Sequence, residues 1–169
     1  MTLRVATPDD VPLLVDLMEE FHAEADYSLD RSWACGSFDA LLKNPTLGSV
    51  WLAFDGADAT GYVVLTVCFS MEHGGLTAFI DDLFVRPAFR RCGFATGILD
   101  ALFAECTRRD VLAVHVEVGE DNIAAGALYR RFGLDLRNDN RQLLTVRLST
   151  NPLAQSKRLV STFARESSS

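Results

Sequence analysis

The stretch Val85-Arg86-Pro87-Ala88-Phe89-Arg90-Arg91-Cys92-Gly93-Phe94-Ala95-Thr96 decides how this chain is read. A strand-like run ends at Val85, a short loop turns, and a helix begins among the small residues Gly93, Ala95 and Gly97. Such a helix start presents unpaired N–H groups and the positive end of the helix dipole, so it binds anions. Small side chains let the backbone itself approach a phosphate, and Arg90 and Arg91 add positive charge. On the loop alone, Gly93 serves equally well in an ordinary tight turn, with the arginines as a solvated face. The loop lacks the Gly-Lys-Ser/Thr ending of a Walker loop, and it is not a GxGxxG dinucleotide fingerprint.

Upstream, Ser49–Phe54 ends at an Asp55-Gly56 turn. Thr60–Phe69 is rich in Val and aromatics, and Leu76–Val85 follows Gly74-Gly75, so the three runs read as an antiparallel meander. Downstream, Ala95, Ile98, Leu99, Leu102, Phe103 and Cys106 fall at helical spacing. Val111–Val118 reads as a buried strand, Ile123–Phe132 as a helix and Leu143–Leu148 as a closing strand. A strand, crossover helix and next strand imply one parallel pairing inside a mixed sheet. At the other end, Leu3–Ala6 is a short strand. Thr7-Pro8-Asp9-Asp10 opens a helix carrying Val11, Leu14, Val15, Met18 and Phe21. Residues Ala23–Gly36 lose periodicity, and a short helix is expected over Phe38–Lys43, closed by Asn44-Pro45.

With 169 residues, 49% of them hydrophobic and 23% charged, the chain suits one domain over 1–150 followed by a polar tail over 151–169. The formal charge of −7 runs against general nucleic-acid binding, which needs excess Lys and Arg. No apolar run reaches membrane-spanning length and no secretory leader pattern is present, so a cytoplasmic location without membrane contact is expected. Cys35, Cys68, Cys92 and Cys106 are widely spaced without a CxxC pair, which argues against a disulfide framework or a metal site. Cys68 and Cys106 read as small apolar residues of a strand and a helix.

The segment Arg90-Arg91-Cys92-Gly93-Phe94-Ala95 resembles the Arg/Gln-x-x-Gly-x-Gly/Ala signature of the GNAT acetyltransferases. Asp82-Leu83-Phe84-Val85-x-Pro87 resembles the strand that leads into it. Asn122-x-x-Ala125-x-x-Leu128-Tyr129-x-x-x-Gly133 resembles the second signature of that superfamily. One helix and one strand fill the interval, and the resemblance covers about residues 3–148. It implies an α/β (α+β mixed) fold: a central mixed, mostly antiparallel twisted sheet with helices on both faces. It also implies acetyl-CoA as cofactor, with Leu83, Phe84 and Val85 along pantetheine and Arg90, Arg91, Cys92, Gly93, Phe94, Ala95 and Thr96 around the pyrophosphate. Asn122 is expected to contact the cofactor or to cap its helix, and the two roles are compatible. Against the common pattern, Arg91 replaces a glycine, Phe94 an aliphatic residue and Ala95 the second glycine, which stiffens the loop.

The chemistry implied is direct transfer of an acetyl group to a primary amine in a ternary complex. An alkyl amine is mostly protonated at neutral pH, so the site needs a base, and the departing thiolate needs an acid. Tyr129 lies two helical turns beyond Asn122 and is the expected acid; its alternative is packing against the sheet. Asp81 is the first choice for the base. Strand alternation puts Asp81, Leu83 and Val85 on one face and Asp82 on the other. Ile80-Asp81-Asp82-Leu83-Phe84-Val85 also resembles the Glu-Asp-x-x-Val of the polyamine and thialysine acetyltransferase branch. Being a methylene shorter than glutamate, Asp81 favours a water relay; its alternative is simple attraction of a cation. Glu117 is a rival bordering the substrate cleft, His115 a half-buried strand residue, and His22 either a pocket residue or an exposed one. Cys92, at a helix start, has no histidine partner in the pattern that would make it a nucleophile.

The acceptor wall is expected from Ala23–Asn44, where Tyr27, Trp33 and Phe38 mix with Glu24, Asp26, Asp30 and Asp39. With Asp81 and Asp82, acids and aromatics suit a small polyamine-like or lysine-like amine, by charge pairing and cation–π contact. A solvated acidic face fits the same residues. Two other readings stand beside this one: acetylation of a protein N-terminus or lysine, and a non-catalytic acyl-CoA-binding sensor. The resemblance also implies pairing into a homodimer, with the tail after Asn151 within reach of the neighbour.

Overall fold

In the computed structural model, which describes residues 1–136 and Val146, the chain enters through β1 (Thr2–Val5). It turns at Thr7 into a short 3-10 turn, Pro8–Asp10, that runs on into α1 (Val11–Ala23). The helix start expected at Thr7 is present, but its first turn is the tighter one, with Asp10 N–H bonded to Thr7 O at 2.9 Å. The Asp10 carboxylate accepts from Thr7 N–H at 2.8 Å and from the Thr7 hydroxyl at 3.1 Å. It also takes two bonds from Arg4, at 2.7 and 2.6 Å, fastening β1 to the turn.

Helix α2 spans Arg31–Leu42 and so begins well before Phe38, the expected start. Asp30 explains the difference: its carboxylate caps the helix by accepting from Trp33 N–H at 3.1 Å. Ala34 and Phe38, four residues apart, then fall on one buried face. Of Ala23–Gly36, which reads as aperiodic throughout, the residues from Arg31 on are therefore helix.

The sheet adds β2 (Gly48–Asp55), β3 (Asp58–Ser70), β4 (Gly75–Val85) and β5 (Ala113–Val116). Its order is β1-β2-β3-β4-β5, with every neighbour antiparallel except the β4–β5 pair. Helix α3 (Phe94–Arg108) makes the crossover into β5, and α4 (Ile123–Arg131) follows it. The strand expected at Leu143–Leu148 and the tail from Asn151 lie outside the described residues, Val146 apart.

Helices cover both faces, as expected. On one, Leu14, Leu17 and Phe38 of α1 and α2 pack on Val50, Leu52, Tyr62 and Phe84. On the other, Ile98, Leu99, Leu102 and Cys106 of α3 pack with Tyr129 on Ala53, Val63, Leu65 and Ile80. Each such buried apolar side chain contributes about 1.5–3 kcal/mol against the entropy of ordering the chain. Cys106 sits in this core; Cys68, read as its strand equivalent, is instead exposed near the β3–β4 end. Among the described residues, no helix is long and apolar enough to cross a membrane.

Candidate active site

The parallel pairing of β4 with β5 runs from Thr77↔Ala113 to Ile80↔Val116 and stops, while β4 continues on β3 as far as Val85. The two strands therefore part at Asp81, and the last five residues of β4 keep β3 on one side only. Arg86 N–H bonds Thr60 O at 2.8 Å, which makes Val85↔Gly61 a pair without its own ladder bonds. By alternation the main-chain groups of Leu83 and Val85 point away from β3, into the gap. An extended amide-bearing chain can add there as a further strand would.

A bulge marks the point of parting. Val64 pairs with Asp82 and Leu65 with Ile80, so Asp81 is the extra residue. The bulge resets which way side chains face: Ala78 and Ile80 pack toward α3, and so do Leu83 and Val85, whereas Phe84 packs toward α1. This corrects the simple alternation expected for the strand. Leu83 and Val85 do share a face, but Asp81 stands out of register, exposed, and its charge acts on Tyr62 on the α1 side.

Asp82 is the better-connected carboxylate. The Tyr62 hydroxyl donates to Asp82 Oδ2 at 3.1 Å. Burial, followed by the Asp82 charge, pushes the Tyr62 phenol well above its usual range. Tyr129 is the buried residue of α4, 7% exposed. Burial first, and then the Asp82 charge, pushes its phenol up to about 12. One carboxylate therefore acts on two phenols, one from β3 and one from α4. Sequence reading passed over Tyr62, because an aromatic in a Val-rich strand reads as core. Only its pairing opposite Phe84, beside Asp82, distinguishes it.

The turn between β4 and α3 has an irregular backbone that exposes several N–H groups. Pro87–Phe89 forms a short 3-10 turn, pinned by edge-to-face packing of Phe89 on Phe94 with ring centres 5.7 Å apart. Arg91 and Gly93 follow with φ of 62° and 86°, and Gly93 caps α3. Alternation into the left-handed region turns successive N–H groups to one side, where the first-turn donors of α3 add to them. A Cβ on Gly93 would meet open space, so glycine is wanted there for its conformation rather than for room. Phe94 is buried, Ala95 and Thr96 are half-buried, and Cys92 is exposed with its thiol 3.4 Å from Arg90 O. The Arg90 guanidinium turns back to Val85 O, at 2.7 Å, and to Glu24.

Asn122 caps α4, its Oδ1 accepting from Ala125 N–H at 3.1 Å. Glu117 is exposed just past the last paired residue of β5, across the gap from Asp81, and His115 packs 5.9 Å from His73. Tyr27 is half-buried, its ring 6.4 Å from that of His22. Trp33 lies partly buried against the α1–α2 core as a helix residue. Of the expected site residues, the structure thus gathers Asp81, Asp82, Leu83, Val85 and the Arg90–Thr96 turn around the gap, whereas Phe84, expected along the cofactor arm, is buried in the α1-side core with its main chain facing β3. Trp33 serves the core.

The model of the acetyltransferase (GNAT) family matches residues 12–134. No curated protein sequence matches the chain. Among solved structures, an integron cassette protein from the mobile metagenome of Cole Harbour Salt Marsh is 40% identical, with a TM-score of 0.79 over 88% of this chain and 91% of that one. A predicted acetyltransferase with acetyl-CoA from Clostridium acetobutylicum is 19% identical, with a TM-score of 0.71 over 85% and 95%. The aminoglycoside 6'-N-acetyltransferase of Acinetobacter haemolyticus is 16% identical, with a TM-score of 0.70 over 88% and 100%. The last two likenesses show the fold.

Proposed function

The chain belongs to the acetyltransferase (GNAT) family, and from that premise we propose that it moves an acetyl group from acetyl-CoA to the primary amine of a small cationic molecule. One observation carries the reading: β4 and β5 part beside a turn whose exposed N–H groups suit an anion, with Asp82 and the buried phenol of Tyr129 next to the gap. The residues present fit the cofactor. The edge of Leu83 and Val85 suits its amide-bearing arm, and the turn from Arg90 to Thr96 suits its diphosphate. Acetyl-CoA supplies an activated acyl thioester when bound.

The chain's own residues do the rest. Asp82, steadied by the Tyr62 hydroxyl, attracts the ammonium and accepts its proton, directly or through water. Asp81, exposed at the bulge, adds negative charge at the mouth and draws the cation in. Tyr129 holds its proton far above neutral pH and delivers it to the leaving sulfur. Asn122 fixes the start of α4 and so the place of that phenol. Glu117 and Tyr27 stand at the rims of the acceptor side. Holding both reactants in one cleft contributes a large part of the acceleration.

Acidic residues at the gap favour a polyamine-like or lysine-like acceptor over a neutral amine. Acetyl-CoA at about 100 times its dissociation constant stabilises a native protein by about 2.7 kcal/mol. In a chain of this size that is a rise of about 5–10 °C in the unfolding midpoint. The rise, followed by thiol release with polyamines or lysine analogues, is the expected result. No rise across a wide concentration range sinks the cofactor assignment. A rise without turnover on any amine leaves an acyl-CoA-binding module instead.

A further inference from the structure

The arginines that bracket the Pro87–Phe89 turn are built alike. Arg86 gives Nη1 to the main-chain oxygen of Ala59 at 2.6 Å, and gives Nε and Nη2 to the Glu20 carboxylate at 2.8 and 2.6 Å. Arg90 gives Nε to the main-chain oxygen of Val85 at 2.7 Å and a terminal nitrogen to the Glu24 carboxylate. Its guanidinium also lies 5.8 Å from the centre of the Phe84 ring. Glu20 and Glu24 are one helical turn apart at the end of α1, where Glu24 is the C-cap. Each arginine thus clasps one strand carbonyl and one α1 carboxylate, with the turn slung between them. Nothing about Arg86 points to a phosphate, and Arg90 repeats its arrangement.

We propose that Arg90 and Glu24 form a strut rather than a phosphate clamp, with Glu24 a positioning residue for the cofactor turn. The inference rests on the acetyl-CoA reading of that turn. A guanidinium matches a carbonyl and a carboxylate at once through its planar fork, which an ammonium cannot do. The diphosphate is then held by the main-chain donors from Arg91 to Thr96, and the Arg90 side chain acts on it only by fixing where those donors point. The same strut joins the cofactor turn to the α1–α2 connection that carries Tyr27, on the acceptor side.

The two roles predict opposite signs for one substitution. If the Arg90 guanidinium binds phosphate, Glu24→Gln releases it from a competitor and CoA binds as tightly or more tightly. If it is a strut, Glu24→Gln loosens the turn and CoA binds more weakly, by about two- to fivefold for a half-exposed pair. Calorimetric titration of CoA into the full chain, at several salt concentrations, separates them. The expected result is a similar loss in Glu24→Gln, Arg90→Gln and Arg90→Lys, with the Glu24→Gln/Arg90→Gln double variant no worse than the weaker single one. The slope of log affinity against log salt stays at its wild-type value in all of them. Unchanged or tighter binding in Glu24→Gln, a flatter salt slope in Arg90→Gln, or wild-type affinity in Arg90→Lys overturns the proposal. Failure of the wild-type chain to bind CoA is a different outcome: it removes the cofactor reading itself.

Discussion

Tyr129 shows what burial does to a single proton. Its phenol is pushed up to about 12, burial contributing most and the Asp82 charge next, so it stays protonated throughout the range in which an amine can be acetylated. Tyr129→Phe should therefore lower kcat by about 10²-fold while leaving CoA affinity near wild type, as read by turnover and titration on the same preparation. Equal kcat in the variant would return Tyr129 to a packing role. The pH–rate profile below about pH 11 should keep its shape in the variant and lose only height, because Tyr129 does not titrate there. Asp82 and Asp81 are separable in the same way. Asp82→Asn should abolish most turnover, and Asp81→Asn should raise the KM of a cationic acceptor with kcat largely kept. The reverse pattern would restore the base to Asp81. Adjacent identical letters carry no sign of which one the bulge puts out of register, and that is why the sequence does not show that Asp82 is the one bonded to Tyr62. A bulge is set by how β3 and β4 fit together over their whole length, beyond the reach of a two-residue period.

Elements declare themselves in sequence where the pattern is long and fail where a cap decides. The β2–β3–β4 meander, α3 and the turn at Gly93 are legible because apolar spacing and glycine placement point the same way. Helix α2 is read short because its first half, Arg31-Ser32-Trp33-Ala34-Cys35-Gly36, shows no helical stripe, and the Asp30 cap that starts it looks like any acid of a loop. The splay of β4 and β5 has no local signature at all; it follows from β5 ending at Val116 while β4 runs on. The junction of β1 with α1 offers a test at this scale. Asp10 accepts from Arg4 and Thr7, and chiefly through Arg4 its carboxyl is held well below the usual carboxylate range. A depressed folded-state pKa contributes stability that is complete above the unfolded value, near 3.9, and is lost as pH falls through the folded one. Asp10→Asn should cost about 1 kcal/mol at neutral pH, a typical value for losing a cap, with the gap from wild type closing below about pH 4. A gap that did not narrow at all between about pH 5 and pH 2 in denaturant titrations would mean the stabilisation is not ionic.

At the scale of the whole molecule, one sheet separates two apolar layers, and the same strands supply both. Leu52 and Ala53 are neighbours on β2 that enter opposite layers, and Val63 and Val64 do the same on β3. Neither layer can therefore lose its sheet face without the other losing its own, and the described residues should unfold in one step. The two tryptophans make this measurable, since Trp33 packs on the α1–α2 layer and Trp51 on the α3–α4 layer. In single-tryptophan chains, Trp33→Phe or Trp51→Phe, urea transitions followed by fluorescence should coincide once each variant's own stability offset is subtracted. Leu14→Ala removes a fully buried side chain from the α1 layer alone and should cost about 2–5 kcal/mol. If the layers are coupled, it moves the transition seen by distant Trp51 as far as the one seen by Trp33. Leu102→Ala, on the opposite face, should do the mirror image, and the two losses should add to within about 0.5 kcal/mol, as expected for sites without shared partners. Displacement of only the nearer reporter would show that the layer carrying α1 and the Glu24 strut opens separately from the layer carrying Tyr129. Phe94 of the turn packs in the same layer as Tyr129, so the turn would then keep its place beside Tyr129 and lose only its tie to α1.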